Sequence, residues 1–172
     1  AFLVGHGTIR HAAIKEGETQ LDERDIAKMG TITRQALREG AYGLSFGLAY
    51  APGVFADNDE LLHLLRIVAD EDAVFTVHGR AYSWVSPFYS PMIIGRPHNV
   101  RSVSELLILA KEAGVKTQLS HQIFVGRHTW RTYMRVLREI ESAAAEGLDV
   151  GFDAFPYTVG NTLINVVFPA WF

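Results

Sequence analysis

Three stretches of this chain share one form. "REGAYGLS", "KEAGVKTQLS" and "AEGLDVGFD" each place an acidic residue and a glycine at the end of a helical pattern, with a strand-like run directly after. A glycine just past the last helical turn accepts the left-handed conformation that lets the backbone leave the helix and feed a strand. A chain that alternates strand and helix in this way is expected to build a parallel sheet with helical crossovers. The strand-like segments are Phe2 to Val4, Tyr42 to Ser45, Ala73 to Val77, Val115 to Leu119 and Val150 to Phe152. Helical patterns lie between them. "NDELLHLLRIVAD" puts Leu61, Leu64, Leu65 and Val68 on one face, with Asp57 at its start and Glu60 in capping register. "SVSELLILAKEAG" sets Ser102 and Glu105 in capping-box register and stops at Gly114. "WRTYMRVLREIESAAAEG" aligns Trp130, Met134, Leu137 and Ile140 as a core stripe, and "RDIAKMGTITRQALREG" runs to Gly40.

Two architectures fit: an open doubly wound sheet, or part of a (β/α)8 barrel. The strand ends decide between them. His6, Ser45, His78, His121 and Asp153 close the successive strand-like runs. In a barrel those ends converge on one rim, where the active site of that fold lies. An open sheet gathers function at a single switch-point crevice instead. The expectation is therefore α/β, a partial (β/α)8 TIM barrel of about five consecutive βα units, since a full barrel takes about 250 residues and this chain has 172. Residues 1–172 are expected to form one domain, a fragment of a barrel. Ala1 starts directly in a strand-like run and Phe172 ends inside "NVVFPAWF", so both ends look cut.

Composition narrows the function classes. With 48% hydrophobic and 20% charged residues the chain is of ordinary globular type. A net charge of −3 and a pI near 6.2 give no basic footprint, so neither a nucleic acid nor an anionic membrane surface is the expected partner. There is no cysteine, which excludes disulfides and thiolate metal ligands within these residues. No apolar run reaches the ~20 residues of a membrane span, there is no signal-like start, and a cytoplasmic location is expected.

Neutral imidazole is the commonest side-chain ligand for a first-row metal, and catalytic zinc sites take about three protein ligands with one position open. His78 and His121 end consecutive strands and can face one ion. Asp153, one strand further, can orient a ligand or a water. The alternative that spacing alone leaves open is that each histidine is a hydrogen-bonded core or rim residue. His98 and His128 read as solvent-facing or rim residues, His63 lies on a polar helix face, and Trp130 reads as helix-stripe core. The long aromatic stretch "AYSWVSPFYSPMIIGRPHNV" after His78 reads as a loop, either a wall or lid beside the site or a cover over the outer face.

"GAYGLSFGLAYAPGVFADNDELLHL", "VHGR", "LSHQ" and "GLDVGFDAFPYT", in that order, resemble the N-acyl-D-amino-acid deacylase branch of the amidohydrolase superfamily. "LVGHGTIR" is similar to a strand of the same family, and "FPAWF" resembles the start of its following insertion. The resemblance spans essentially the whole chain. It implies a metal-dependent barrel of which this chain covers roughly strands three to seven, with His78 and His121 as zinc ligands and one or two zinc ions in the intact protein. The family's first-strand His-x-His pair, bridging cysteine and catalytic aspartate have no counterpart here, so the resemblance assigns no catalytic residue within the chain, and Asp153 is not that aspartate.

Two positions depart from the family pattern. A lysine that grips the substrate carboxylate two residues beyond the "SH" histidine is replaced by Ile123, and the tyrosine of "YPY" by Phe155. One charge-assisted contact and one oxyanion donor are thereby lost. The expected substrate side comprises Tyr50, Arg80, Ile123, Phe155 and Tyr157. The implied activity is hydrolysis of a non-peptide amide C–N bond in a small N-acyl compound, an N-acyl-D-amino acid or a relative of one. The alternative is a non-catalytic βα-sheet module whose histidines serve hydrogen bonding. These residues alone are expected to be inactive, and to self-associate through exposed barrel edges.

Overall fold

The computed structural model describes residues 2–14, 18, 20–90 and 95–168. Ten regular elements follow in order: β1 (Leu3–Gly5), α1 (His6–Ala13), α2 (Glu23–Arg38), β2 (Gly43–Gly47), α3 (Asn58–Asp70), β3 (Val74–His78), α4 (His98–Ala113), β4 (Lys116–Gln122), α5 (Tyr133–Ala145) and β5 (Val150–Ala154). The final "PAWF" of the sequence lies outside the described residues.

All five strands are parallel, and their spatial order is β1-β2-β3-β4-β5. Each helix packs on the next, from α1 through α5. Such a continuous helical layer requires the crossovers to lie on one face of the sheet, which a doubly wound sheet cannot provide. The strand alternation follows suit. Leu44, Phe46, Phe75, Val77 and Leu119 enter a single core with Leu61, Leu64, Leu65, Val68, Val100 and Leu106. Between them Gly5, Ser45, Thr76, Gln118 and Gly151 stand in one register row, a small and polar set on the opposite face. A greasy face toward helices and a polar face away from them is the cross-section of a barrel wall.

The three expected helix exits carry glycines at positive φ: Gly40 at 108°, Gly114 at 66° and Gly147 at 96°. Elsewhere tertiary contacts override the local pattern. His6 does not close a strand but opens α1, a helix absent from the sequence reading, because β1 passes into it without a loop. Ser45 lies inside β2 rather than at its end, since the pairing with β3 runs on to Gly47. Asp57 caps α3 by accepting from the Glu60 amide at 2.8 Å, but the Glu60 carboxylate turns inward instead of completing a box. Helix α4 begins at His98, not at Ser102. Ser102 Oγ instead accepts from the Ala81 amide, and Glu105 pairs with Arg80. In α5 the buried stripe is Val136, Ile140 and Ala143. Trp130 and Met134 are exposed, since Trp130 lies in a turn ahead of α5 and the side of α5 that meets the core carries Val136, Ile140 and Ala143. Among the described residues no helix is long and apolar enough to cross a membrane.

Candidate metal centre

His78 is the last residue of β3 and His121 the last but one of β4. The β4–β5 register shifts between Leu119 and Gln122, and His121 within that irregularity has φ 38°. A non-glycine residue there is held by its surroundings at a cost of about 1–3 kcal/mol, a kind of strain that clusters at functional sites. The holding group is Asp153. Its Oδ1 accepts from the His121 amide at 2.7 Å and its Oδ2 from Gln118 Nε2 at 2.7 Å. Nδ1 of His78 and Nε2 of His121 lie at hydrogen-bond distance, 3.0 Å apart, with ring centroids 4.7 Å apart.

That pair fits a metal ion. Two nitrogens each about 2.0–2.1 Å from a tetrahedral zinc stand about 3.3 Å from one another, close to the separation observed. Burial, reinforced by the neighbouring His121, lowers the His78 pKa to about 4, so at neutral pH its ring is uncharged and keeps a lone pair for coordination. The described residues bring no third acidic or imidazole group to the pair.

Two tyrosines flank the histidines. The ring of Tyr50 lies 4.8 Å from that of His78, and its hydroxyl meets Thr162 Oγ1 at 3.1 Å, so the segment after β5 crosses the strand ends. Tyr82 packs at 5.0 Å from His78 and 5.5 Å from His121. Burial holds the Tyr82 hydroxyl well above the ordinary phenol range, so it stays protonated. Tyr82 comes from the aromatic stretch after His78, whose first residues therefore wall the site. The loop is pinned further by a bridge from Ser83 to Val125.

The other expected residues are placed as follows. Arg80 is buried, donating from Nε to Glu105 Oε1 at 2.9 Å and from Nη2 to the Ala56 carbonyl at 2.5 Å, so its guanidinium braces loops under the site. Ile123 is half-buried just past β4. Phe155 donates its amide to the Gln122 carbonyl at 3.1 Å, and its ring meets Tyr157 edge-on at 5.5 Å, Tyr157 being exposed. His98 is buried rather than at the rim, because its Nδ1 accepts from the Ser86 amide at 2.8 Å and Tyr89 packs on its ring. His128 is exposed and His63 half-buried.

Two features of the site region are not legible in the sequence. One is Tyr82, four residues beyond His78; the aromatic run was visible, but not which ring faces the histidines. The other is a buried cluster in which His6 Nε2 lies 2.7 Å from Glu60 Oε1 and Arg10 Nε donates to the same oxygen at 3.1 Å. His6 also stacks on Phe46 with centroids 4.7 Å apart. Only the coincidence of "GHGTIR" with an acid in the third helix could have pointed to it.

No family model matches the chain. It is 32% identical over 164 residues to the N-acyl-D-glutamate deacylase of Alcaligenes xylosoxydans xylosoxydans, covering 95% of this chain and 31% of that protein. In structure it matches the N-acyl-D-glutamate deacylase of Bordetella bronchiseptica, solved with zinc and a phosphonate mimic of the tetrahedral intermediate. The TM-score is 0.77 at 29% identity over 90% of this chain and 30% of that one. It also matches a D-aminoacylase described as defining a novel subset of amidohydrolases, with TM-score 0.78 at 27% identity over 92% of this chain and 30% of the other. The strand order, the one-sided helical layer and these matches give the chain the fold of a section of the barrel found in these amidohydrolases. Within that class the chain is a relative of the N-acyl-D-amino-acid deacylases, as the sequence motifs imply. It spans under a third of the length of the curated relative it matches.

Proposed function

We propose that the protein carrying these residues is a zinc-dependent amidohydrolase that cleaves a non-peptide amide C–N bond in a small N-acyl compound. The observation that carries the proposal is the His78–His121 pair, two imidazole nitrogens 3.0 Å apart at adjacent strand ends. Its support is the likeness to deacylases, one of them solved with zinc. In this reading the single domain is a barrel section, and the intact protein holds one or two zinc ions.

Bound there, zinc would polarise the amide carbonyl and bring the pKa of a bound water to about 7. This chain's residues do the rest of what it can contribute. His78 and His121 would hold the ion through the two ring nitrogens that face each other. Asp153 fixes the strained backbone of His121, and through it the direction of the ring. Tyr50, Ile123, Phe155 and Tyr157 form the substrate side, with Arg80 bracing it from below rather than reaching into it. Ile123 and Phe155 offer neither a cation for a carboxylate nor a hydroxyl for an oxyanion. The favoured substrates are therefore N-acyl compounds whose recognition does not depend on those two contacts, such as relatives of N-acyl-D-amino acids with a blocked or displaced carboxylate. The 172 residues alone supply two ligands, bind metal weakly and do not turn over.

The test is hydrolysis by the full-length protein of N-acyl-D-amino acids set beside their carboxamides. The expected result is zinc-dependent release of the acyl group, faster for the carboxamides and abolished by His78→Ala. Rates equal in wild type and His78→Ala for every compound would contradict the proposal.

A further inference from the structure

We propose that Tyr82 is a positioning residue for the metal centre, a clasp that sets the separation and angle of the two ligand imidazoles; the inference rests on the metal reading of the preceding section. Its side chain touches both ligand-bearing strand ends at once. The hydroxyl accepts from the amide of Gly79, the residue after His78, at 2.8 Å, and reaches the carbonyl of Ser120, the residue before His121, at 3.5 Å. The ring packs at 5.0 Å on one imidazole and 5.5 Å on the other. The backbone of Tyr82 is tied to the far loop as well, since its carbonyl accepts from the Val125 amide at 2.9 Å. One residue thus couples β3, β4 and the loops that leave them.

The coupling has a job to do. β3–β4 pairing ends at Val77 and Leu119, before either histidine, so ladder hydrogen bonds do not set the approach of the two rings. Asp153 holds His121 from the β5 side. On the β3 side Tyr82 spans the gap. Gly79 makes room for the arrangement: a Cβ there would stand 2.8 Å from Ser102 Oγ and 3.7 Å from the Tyr82 hydroxyl. Groups that orient ligands without touching the metal commonly change its affinity by 10- to 100-fold when removed.

The experiment measures zinc affinity of the full-length protein by competition with a chromophoric chelator, for wild type, Tyr82→Phe, Tyr82→Leu and His78→Ala. Circular dichroism first establishes that each variant is folded at the temperature used. Tyr82→Phe keeps the ring and loses the clasp, and is expected to weaken zinc by about tenfold, with Tyr82→Leu weaker still. The visible bands of the cobalt(II)-loaded protein are expected to shift in Tyr82→Phe, which a hydroxyl serving only stability would not cause. Wild-type affinity and an unchanged cobalt spectrum in Tyr82→Phe, alongside a loss in His78→Ala, overturn the clasp. Undiminished zinc binding in His78→Ala overturns the metal reading instead.

Discussion

At His121 the backbone adopts φ 38° and spends conformational energy that only its neighbours return. The Asp153 carboxylate is the neighbour responsible, and it accepts from the His121 amide and from Gln118 at the same time. Asp153→Asn keeps an acceptor but loses the charge, and is expected to weaken zinc binding by about tenfold while the protein stays folded; equal zinc affinity in a chelator titration would contradict the assignment. A second residue-scale prediction concerns stability. Glu60 is buried against His6 and the Arg10 guanidinium, and taking a carboxylate from a buried guanidinium costs about 3–5 kcal/mol. Glu60→Ala is expected to lower the free energy of unfolding by that amount, seen as a lower denaturant midpoint with the slope of the transition unchanged. A change below about 1 kcal/mol, the range of exposed pairs, would show that the cluster contributes little.

At the scale of elements, β2 and β3 approach so closely that a Cβ on Gly43 would stand 2.0 Å from the Val74 carbonyl oxygen. Gly43→Ala must push the strands apart, and overpacking of this kind costs about 1–3 kcal/mol. A Cβ at Gly40, in the exit of α2, meets no atom within 4 Å, so Gly40→Ala carries only the strain of its φ of 108°. Thermal unfolding of the two variants separates crowding from backbone strain, with the larger loss expected at Gly43. Elements are also where the sequence is most and least legible. Strand–helix alternation and the glycine exits can be read because they depend on local backbone chemistry. The start of α4 and the buried face of α5 cannot, because partners distant in sequence decide them: Ser102 and Glu105 answer Ala81 and Arg80, and Val136, Ile140 and Ala143 join the common core. The histidine pair was legible as two strand ends. Its closeness was not, since the bulge that turns His121 arises from pairing with β5.

For the whole molecule, β1 and β5 each have one neighbour in the described sheet, and Tyr157, Val159, Leu163, Ile164 and Val167 beyond β5 are exposed. Unpaired parallel edges and apolar surface of this extent favour pairing with another chain. The 172 residues produced alone are expected to associate with concentration in sedimentation, and a strictly monomeric species at high concentration would contradict that. The barrel reading gives the rim one task, which is to bring ligands from successive strands to a single ion, and the central claim is that His78 and His121 share that ion. The most direct measurement is zinc content per chain of the full-length protein after exhaustive dialysis, for wild type, His78→Ala, His121→Ala and the double variant. Either single substitution is expected to remove the same zinc equivalent, and the double variant to lose no more. Full zinc in both single variants would contradict it.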